Sequence, residues 1–237
     1  MKALYTQTSI ISKLKKAFFE IFSSESTPTK EHLFDLLMSV LCLNGFSSVN
    51  YNFEHFVQYI SNHKLKSYYF TLNESKIDLS QWMKNIIRIA LSLIPEKLLD
   101  HLIILSIDDT MVEKYGEHFE NGHCFVSIML SIPVFDQGKV RYLSFPIGYR
   151  MWTKEQSKLA MAADMVREVM EIIGSERNVC LCCDRWYPKA EITELPQQYE
   201  NLALICNVRH DTVLYALPPA KTGKKGQTKS KGQETVF

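Results

Sequence analysis

Three aspartates follow two apolar runs, and they are the residues of this sequence best suited to metal chemistry. Asp108 and Asp109 come directly after the run 101–107. Asp184 comes directly after the run 178–183. Two adjacent carboxylates without a balancing arginine or lysine are not both readily ionised unless a divalent cation lies between them, and carboxylate oxygens favour Mg²⁺ or Mn²⁺. The pattern predicts a metal site, and the competing interpretation is that these acids only form turns or caps.

The elements around the aspartates predict an α/β sheet. The run 101–107 is almost continuously apolar, which is typical of a strand buried on both faces. The runs 124–134 and 140–149 flank turn residues at 136–139 and predict a hairpin. The predicted elements that follow are a helix from Thr153 or Lys154 to Gly174, a strand at 178–183, a helix at 188–195 and a strand at 202–208. The order is β-β-β-α-β-α-β.

This order predicts that the acids meet at one end of the sheet. A right-handed crossover places the fourth strand parallel to the first, on the edge opposite the hairpin. The carboxyl ends of the two strands are then neighbours, and Asp109 and Asp184 face each other where ligands bind in open α/β sheets. Asp108 competes with Asp109, because consecutive strand residues point to opposite faces.

The region 1–97 is predicted to be all-helical. Apolar periodicity indicates helices over 10–22, from Thr29 to the Asn44-Gly45 stop, from Ser47 or Ser48 through Ile60, and over 80–93. A helix, a glycine turn and a second helix suit a DNA-reading helix-turn-helix motif. They suit a small helical bundle equally well.

Composition excludes several classes of protein. The chain has 237 residues, 46% of them hydrophobic, and a formal charge of +1, which excludes wholesale disorder. It has neither an apolar stretch of membrane-spanning length nor a signal-peptide core near Met1, so a soluble intracellular protein is expected. The six cysteines lie in apolar runs and are expected to be buried and reduced, and no second half completes the CxxC of Cys180 and Cys183 as a zinc site.

Basic residues suggest where nucleic acid could bind. The tail 219–237 carries five lysines and no acid before Glu234, which fits either a solvated flexible segment or one that contacts phosphates. These lysines are Lys221, Lys224, Lys225, Lys229 and Lys231. Arg185 could contact a phosphate or pair locally with a carboxylate.

Four strings of this sequence, in order, resemble those of DDE-type insertion-sequence transposases. The string 105–110, Leu-Ser-Ile-Asp-Asp-Thr, followed by Glu-Lys-Tyr-Gly at 113–116, is similar to the region of their first aspartate. The string 182–189, Cys-Cys-Asp-Arg-Trp-Tyr-Pro-Lys, is similar to the region of their second. Residues 207–219 resemble the strand and proline-bearing exit that follow it, and 222–226 resembles a Thr-Gly-Lys-(Arg/Lys)-Gly segment, with Gln-Thr replacing the usual Arg-Pro after it.

The resemblance covers roughly residues 100–232 and implies a ribonuclease-H-like catalytic core over 98–218. Asp109 and Asp184 would be the first two metal-binding catalytic acids, and the preference for Asp109 over Asp108 comes from this resemblance. Mg²⁺ or Mn²⁺ would be the cofactor, and DNA at transposon ends and targets the partner. The family also implies a bacterial cytoplasmic, nucleoid-associated protein that forms a homo-oligomer when full length.

The third acid of the family, a glutamate in a Tyr-x₂-Arg-x₃-Glu-x₆-Lys helix, has no match, since Glu234 lies in the basic tail. The chain is therefore expected to be the front portion of a transposase, truncated before the last catalytic segment. One alternative is a non-catalytic DNA-binding remnant that regulates an intact transposase. Another is a metal-dependent nuclease that cuts DNA without joining it.

Overall fold

The computed structural model describes residues 2–43, 45, 47–112, 122–208, 214–215 and 234–235. It combines helices with a five-stranded mixed sheet, so the predicted α/β class is confirmed. The chain divides into two compact units, Met1–Glu96 with Glu171–Ile173 and Lys97–Met170 with Gly174–Phe237. Among the described residues, no helix has both the length and the apolar character needed to cross a bilayer.

The first unit is helical, and side-chain caps begin three of its helices. The helices are α1 (Lys2–Ile21), α2 (Thr27–Cys42), α3 (Val49–His55), α4 (Leu65–Glu74) and α5 (Leu79–Ser92), with a 3-10 helix at Val57–Tyr59. Ser26, Ser48 and Asp78 each accept a hydrogen bond from the backbone amide three residues on, which satisfies an amide that the helix leaves unpaired. A further 3-10 helix follows at Glu96–Leu98.

One predicted helix end in this unit is wrong. The helix capped by Ser48 stops at His55 instead of continuing to Ile60, because Phe56 leaves helical geometry with φ −146°. This break places Val57, which is 0% exposed, in a hydrophobic cluster with Leu36 and Tyr68. Helix α2 ends at Cys42, directly before the predicted stop, and the Gly45 amide donates to the Val40 carbonyl over 3.0 Å. Cys42, which was expected to be buried, is exposed.

A buried polar cluster ties α2 to α4. The His32 Nδ1 atom lies 2.7 Å from the Thr71 hydroxyl, and the Tyr68 hydroxyl donates to Asp35 over 2.7 Å. The His63 ring packs edge-on against His32 with centroids 4.4 Å apart. Burial, followed by the nearby His63, lowers the pKa of His32, so its neutral form is the one that the fold accommodates.

This lowered pKa predicts an acid-sensitive helical unit. Since the unfolded chain binds a proton at His32 more readily than the folded chain, stability is present above the ordinary histidine pKa of about 6.5 and is lost as pH falls below it. Urea unfolding followed by helical circular dichroism at about pH 7.5 and about pH 5.5 should show less loss of stability in His32→Gln than in the wild type. The exposed His55 provides the control His55→Gln. An unchanged pH dependence in His32→Gln would contradict the prediction.

The second unit is built on the sheet. Its strands are β1 (Ile103–Val112), β2 (His123–Asp136), β3 (Lys139–Met151), β4 (Val179–Cys183) and β5 (Leu202–Cys206), in the order β3-β2-β1-β4-β5. β1, β2 and β3 pair antiparallel, whereas β4 pairs parallel with both β1 and β5. The hairpin turn has positive φ at Gln137 (49°) and Gly138 (77°), as a two-residue turn between twisted strands requires. The expected hairpin and parallel crossover are both present.

Helix α6 (Lys158–Ile173) connects β3 to β4 and lies against the sheet. Arg150 on β3 donates to Glu168 of this helix over 2.5 Å, and Ala162, Val166 and Val169 are buried. Gly174 ends the helix with φ 77°, as predicted.

Two helix predictions in this unit differ from the structure. The helix predicted to begin at Thr153 or Lys154 begins instead at Lys158. Lys154 has φ 69°, which is not helical, and Ser157 caps the helix. The single helix predicted at 188–195 is two short ones, α7 (Ala190–Thr193) and α8 (Leu195–Gln198).

Part of the predicted tail has regular structure. Leu214–Tyr215 (β6) pairs antiparallel with Glu234–Thr235 (β7). The five tail lysines at 221, 224, 225, 229 and 231 lie outside the described residues.

Candidate functional site

The register between β1 and β4 sets Asp108 level with Asp184 at one end of the sheet. The last parallel pair joins Ile107 to Cys183, and the next residue on each strand is an aspartate. Asp109 follows Asp108 by one further position. β1 itself continues to Val112 because β2 still pairs with it, so the predicted end of this strand at 107 is wrong, although its pairing with β4 does end there.

Asp109 is the better enclosed of the two candidates on β1. It shares the sheet face of Leu105 and Ile107, which are at most 2% exposed. The Cys124 thiol donates to Asp109 Oδ2 over 3.5 Å. Asp108 is exposed, and its Oδ1 accepts the backbone amide of Asp109 at 2.8 Å. This local hydrogen bond leaves Asp109 as the carboxylate that points into the site.

A lysine that the sequence argument did not place at the site neutralises Asp109. The Lys158 ammonium lies 2.5 Å from Asp109 Oδ2, with the two side chains 16% and 27% exposed. The premise of two acids without a balancing cation is therefore wrong for Asp109. The reason is geometric, since Ser157 caps α6 so that the first residue of the helix reaches back to β1. The only sequence signal was the position of Lys158 next to a capping serine.

Two indole rings flank the same ammonium. The Lys158 Nζ atom lies 5.3 Å from the ring centroid of Trp152 and 5.3 Å from that of Trp186. Burial by itself lowers the pKa of Lys158, but hydrogen bonds to Asp109 and Cys124 outweigh it and raise the pKa overall. Cation–π attraction and the ion pair thus hold a charged lysine at the site.

Asp184 organises the turn after β4. It is exposed, and its Oδ1 accepts the backbone amide of Trp186 over 2.9 Å, as an aspartate in a local turn does. The side chain of Trp186 is 46% exposed. Arg185 between them is exposed and forms no ion pair with any residue that the structure describes.

Tyr187 is a buried residue whose hydroxyl lies in the electrostatic field of all three aspartates. It is 0% exposed and packs edge-on against Trp186, with ring centroids 5.3 Å apart. Its hydroxyl has no hydrogen-bond partner among the described residues. Burial raises the pKa of Tyr187, and the charges of Asp109, Asp108 and Asp184 raise it further. All three carboxylates therefore act on one buried hydroxyl.

The donor atoms fit a divalent cation only in part. Among the described residues, hydrogen bonds engage Oδ2 of Asp109 and Oδ1 of Asp184, leaving the second oxygen of each carboxylate as a hard ligand. No group of three or more His, Cys, Asp or Glu side chains within the described part of the chain is arranged to hold a metal. The position beside Asp109 Oδ2 is taken by Lys158.

No family model matches the sequence, and no curated protein is significantly similar to it.

The unpartnered hydroxyl predicts a mild effect for one substitution. Tyr187→Phe removes a buried polar group that has no partner among the described residues, so the free energy of unfolding should stay the same or rise by up to about 1 kcal/mol. Tyr187→Ala, which empties the same buried volume, should cost about 3–5 kcal/mol. Denaturant unfolding of both variants measures the difference, and a loss in Tyr187→Phe comparable to that in Tyr187→Ala would contradict it.

Proposed function

We propose that this chain carries the metal-dependent DNA cleavage and strand-transfer centre of a DDE-type transposase, on a ribonuclease-H-like core. The observation that supports the proposal is the parallel pairing of β1 with β4, whose last pair, Ile107 with Cys183, lies two positions before Asp109 and one before Asp184. The order β3-β2-β1-β4-β5, with the hairpin on one side of β1 and the parallel strands on the other, supports it. The motif resemblance gives the proposal its chemistry.

Asp109 and Asp184 would hold the cation through carboxylate oxygens. A bound Mg²⁺ or Mn²⁺ would supply activation of the attacking water or 3′-hydroxyl and stabilisation of the departing oxygen in phosphodiester displacement. The chain's own groups would position the ligands. The local hydrogen bond of Asp108 leaves Asp109 as the inward carboxylate, and the turn at Trp186 fixes one oxygen of Asp184.

DNA would approach the exposed rim of this centre. Arg185 is exposed directly beside Asp184 and is available to a phosphate. The five tail lysines would add contacts to the backbone that do not depend on sequence. The helical region 1–97 would supply recognition of transposon ends, and the full-length protein would act as a homo-oligomer.

A second candidate is the non-catalytic DNA-binding remnant that regulates an intact transposase. The observation that favours it is the ion pair between Lys158 and Asp109, which gives the carboxylate a partner without any metal. Within the described part of the chain, no three His, Cys, Asp or Glu side chains are grouped so that they could hold a metal. In this case the chain would occupy transposon ends without cutting them.

Nicking of DNA that carries transposon ends distinguishes these functions. With Mg²⁺, the wild-type chain should nick such DNA, and Asp109→Asn or Asp184→Asn should each reduce the rate at least about 100-fold, because removing even a supporting residue of a metal site costs about 10- to 100-fold. Asp136→Asn is the matched control, since Asp136 lies at the exposed hairpin turn, paired with Arg141.

The outcomes separate the candidates. Binding of end DNA by wild type and Asp184→Asn alike, without nicking by either, would replace the enzyme with the regulatory remnant. Nicking without joining of the 3′ ends to a second DNA would indicate a nuclease. Equal loss of nicking in Asp136→Asn would show that the effect is not specific to the site.

A further inference from the structure

We propose that Lys158 is a built-in counter-cation that occupies the cation position of Asp109, and that a divalent metal binds there only when the ammonium leaves. This inference depends on the proposed function only for the assumption that a divalent metal binds at Asp109. The position itself is defined by contacts on the molecule: the ammonium is 2.5 Å from Asp109 Oδ2 and faces the rings of Trp152 and Trp186.

Two cations cannot share this carboxylate comfortably. Mg²⁺ lies about 2.1 Å from an oxygen ligand, so an ion on either carboxylate oxygen of Asp109 would come within about 7 Å of the ammonium. Since the two side chains are 16% and 27% exposed, bulk water screens little of the repulsion at that distance. The lysine and the metal are therefore competitors.

The indole rings of Trp152 and Trp186 hold the ammonium in one defined position beside Asp109. Trp152 is fixed by a hydrogen bond from its indole Nε1 to the Gln156 carbonyl over 2.8 Å. Trp186 is fixed by the turn that Asp184 forms. The ammonium is thus held by Asp109 and by two rings whose positions are themselves fixed, and its departure loses the Asp109 ion pair and two cation–π contacts at once. Metal affinity is lowered by the cost of that departure.

The first test uses the wild-type chain. Lysine acylation by an N-hydroxysuccinimide ester, read by peptide mass spectrometry, should modify the exposed Lys154 readily and Lys158 slowly. Saturating Mg²⁺ should raise the acylation rate of Lys158 and leave that of Lys154 unchanged. Slow acylation of Lys158 that Mg²⁺ does not change, or fast acylation without metal, would overturn the inference.

The second test measures affinity directly. Titration of Mn²⁺ followed by electron paramagnetic resonance should show at least about tenfold tighter binding to Lys158→Met than to wild type, because one unit of opposing charge is gone. Lys158→Arg, which keeps the charge and the fold's ion pair, should bind Mn²⁺ no more tightly than wild type. Lys154→Met is the control for a general change in surface charge.

These outcomes separate this inference from the proposed function. Equal Mn²⁺ affinity in wild type and Lys158→Met would overturn the counter-cation while leaving the metal site standing. Weaker binding in Lys158→Met would show that the lysine supports the metal rather than competing with it, and would also overturn the inference. Absence of Mn²⁺ binding in every variant would overturn both proposals.

Discussion

The parallel pairing of β1 with β4 is the constraint on which the rest of the site depends. Its last pair, Ile107 with Cys183, decides that acids far apart in the chain leave the sheet side by side. A shift of one residue in this register would move Asp109, together with Ile107, to the opposite face of the sheet, because strand side chains alternate. The buried apolar residues of β1 and β4 hold the register, so the core of the sheet also sets the geometry of the acids.

Asp109 and its ammonium partner give this edge of the sheet its electrostatic character. A half-buried carboxylate is unfavourable alone, and Lys158 neutralises it within the same unit. The ion pair between Lys158 and Asp109 is compatible with a regulatory remnant that binds no metal. It is equally compatible with a metal site whose cation position is occupied by the lysine. What distinguishes these is whether a divalent cation can replace the ammonium, which is a question of relative binding free energy.

Local sequence patterns predicted the elements better than the contacts between them. Continuous apolar runs located the strands, and Gly138 and Gly174 marked the turn and the helix end through backbone conformations that favour glycine. The start of α6 was missed because the left-handed backbone at Lys154 has no local signal in a lysine. The Lys158 pair was missed because it joins residues that only the folded chain brings together.

The central claim is that Asp109 and Asp184 share one divalent cation, and a crystal grown with Mn²⁺ tests it most directly. The account predicts a single anomalous difference peak with a carboxylate oxygen of each aspartate within about 2.3 Å, and the Lys158 ammonium displaced from Asp109. A peak bound by only one of the two aspartates, or their carboxylates directed away from each other, would contradict it.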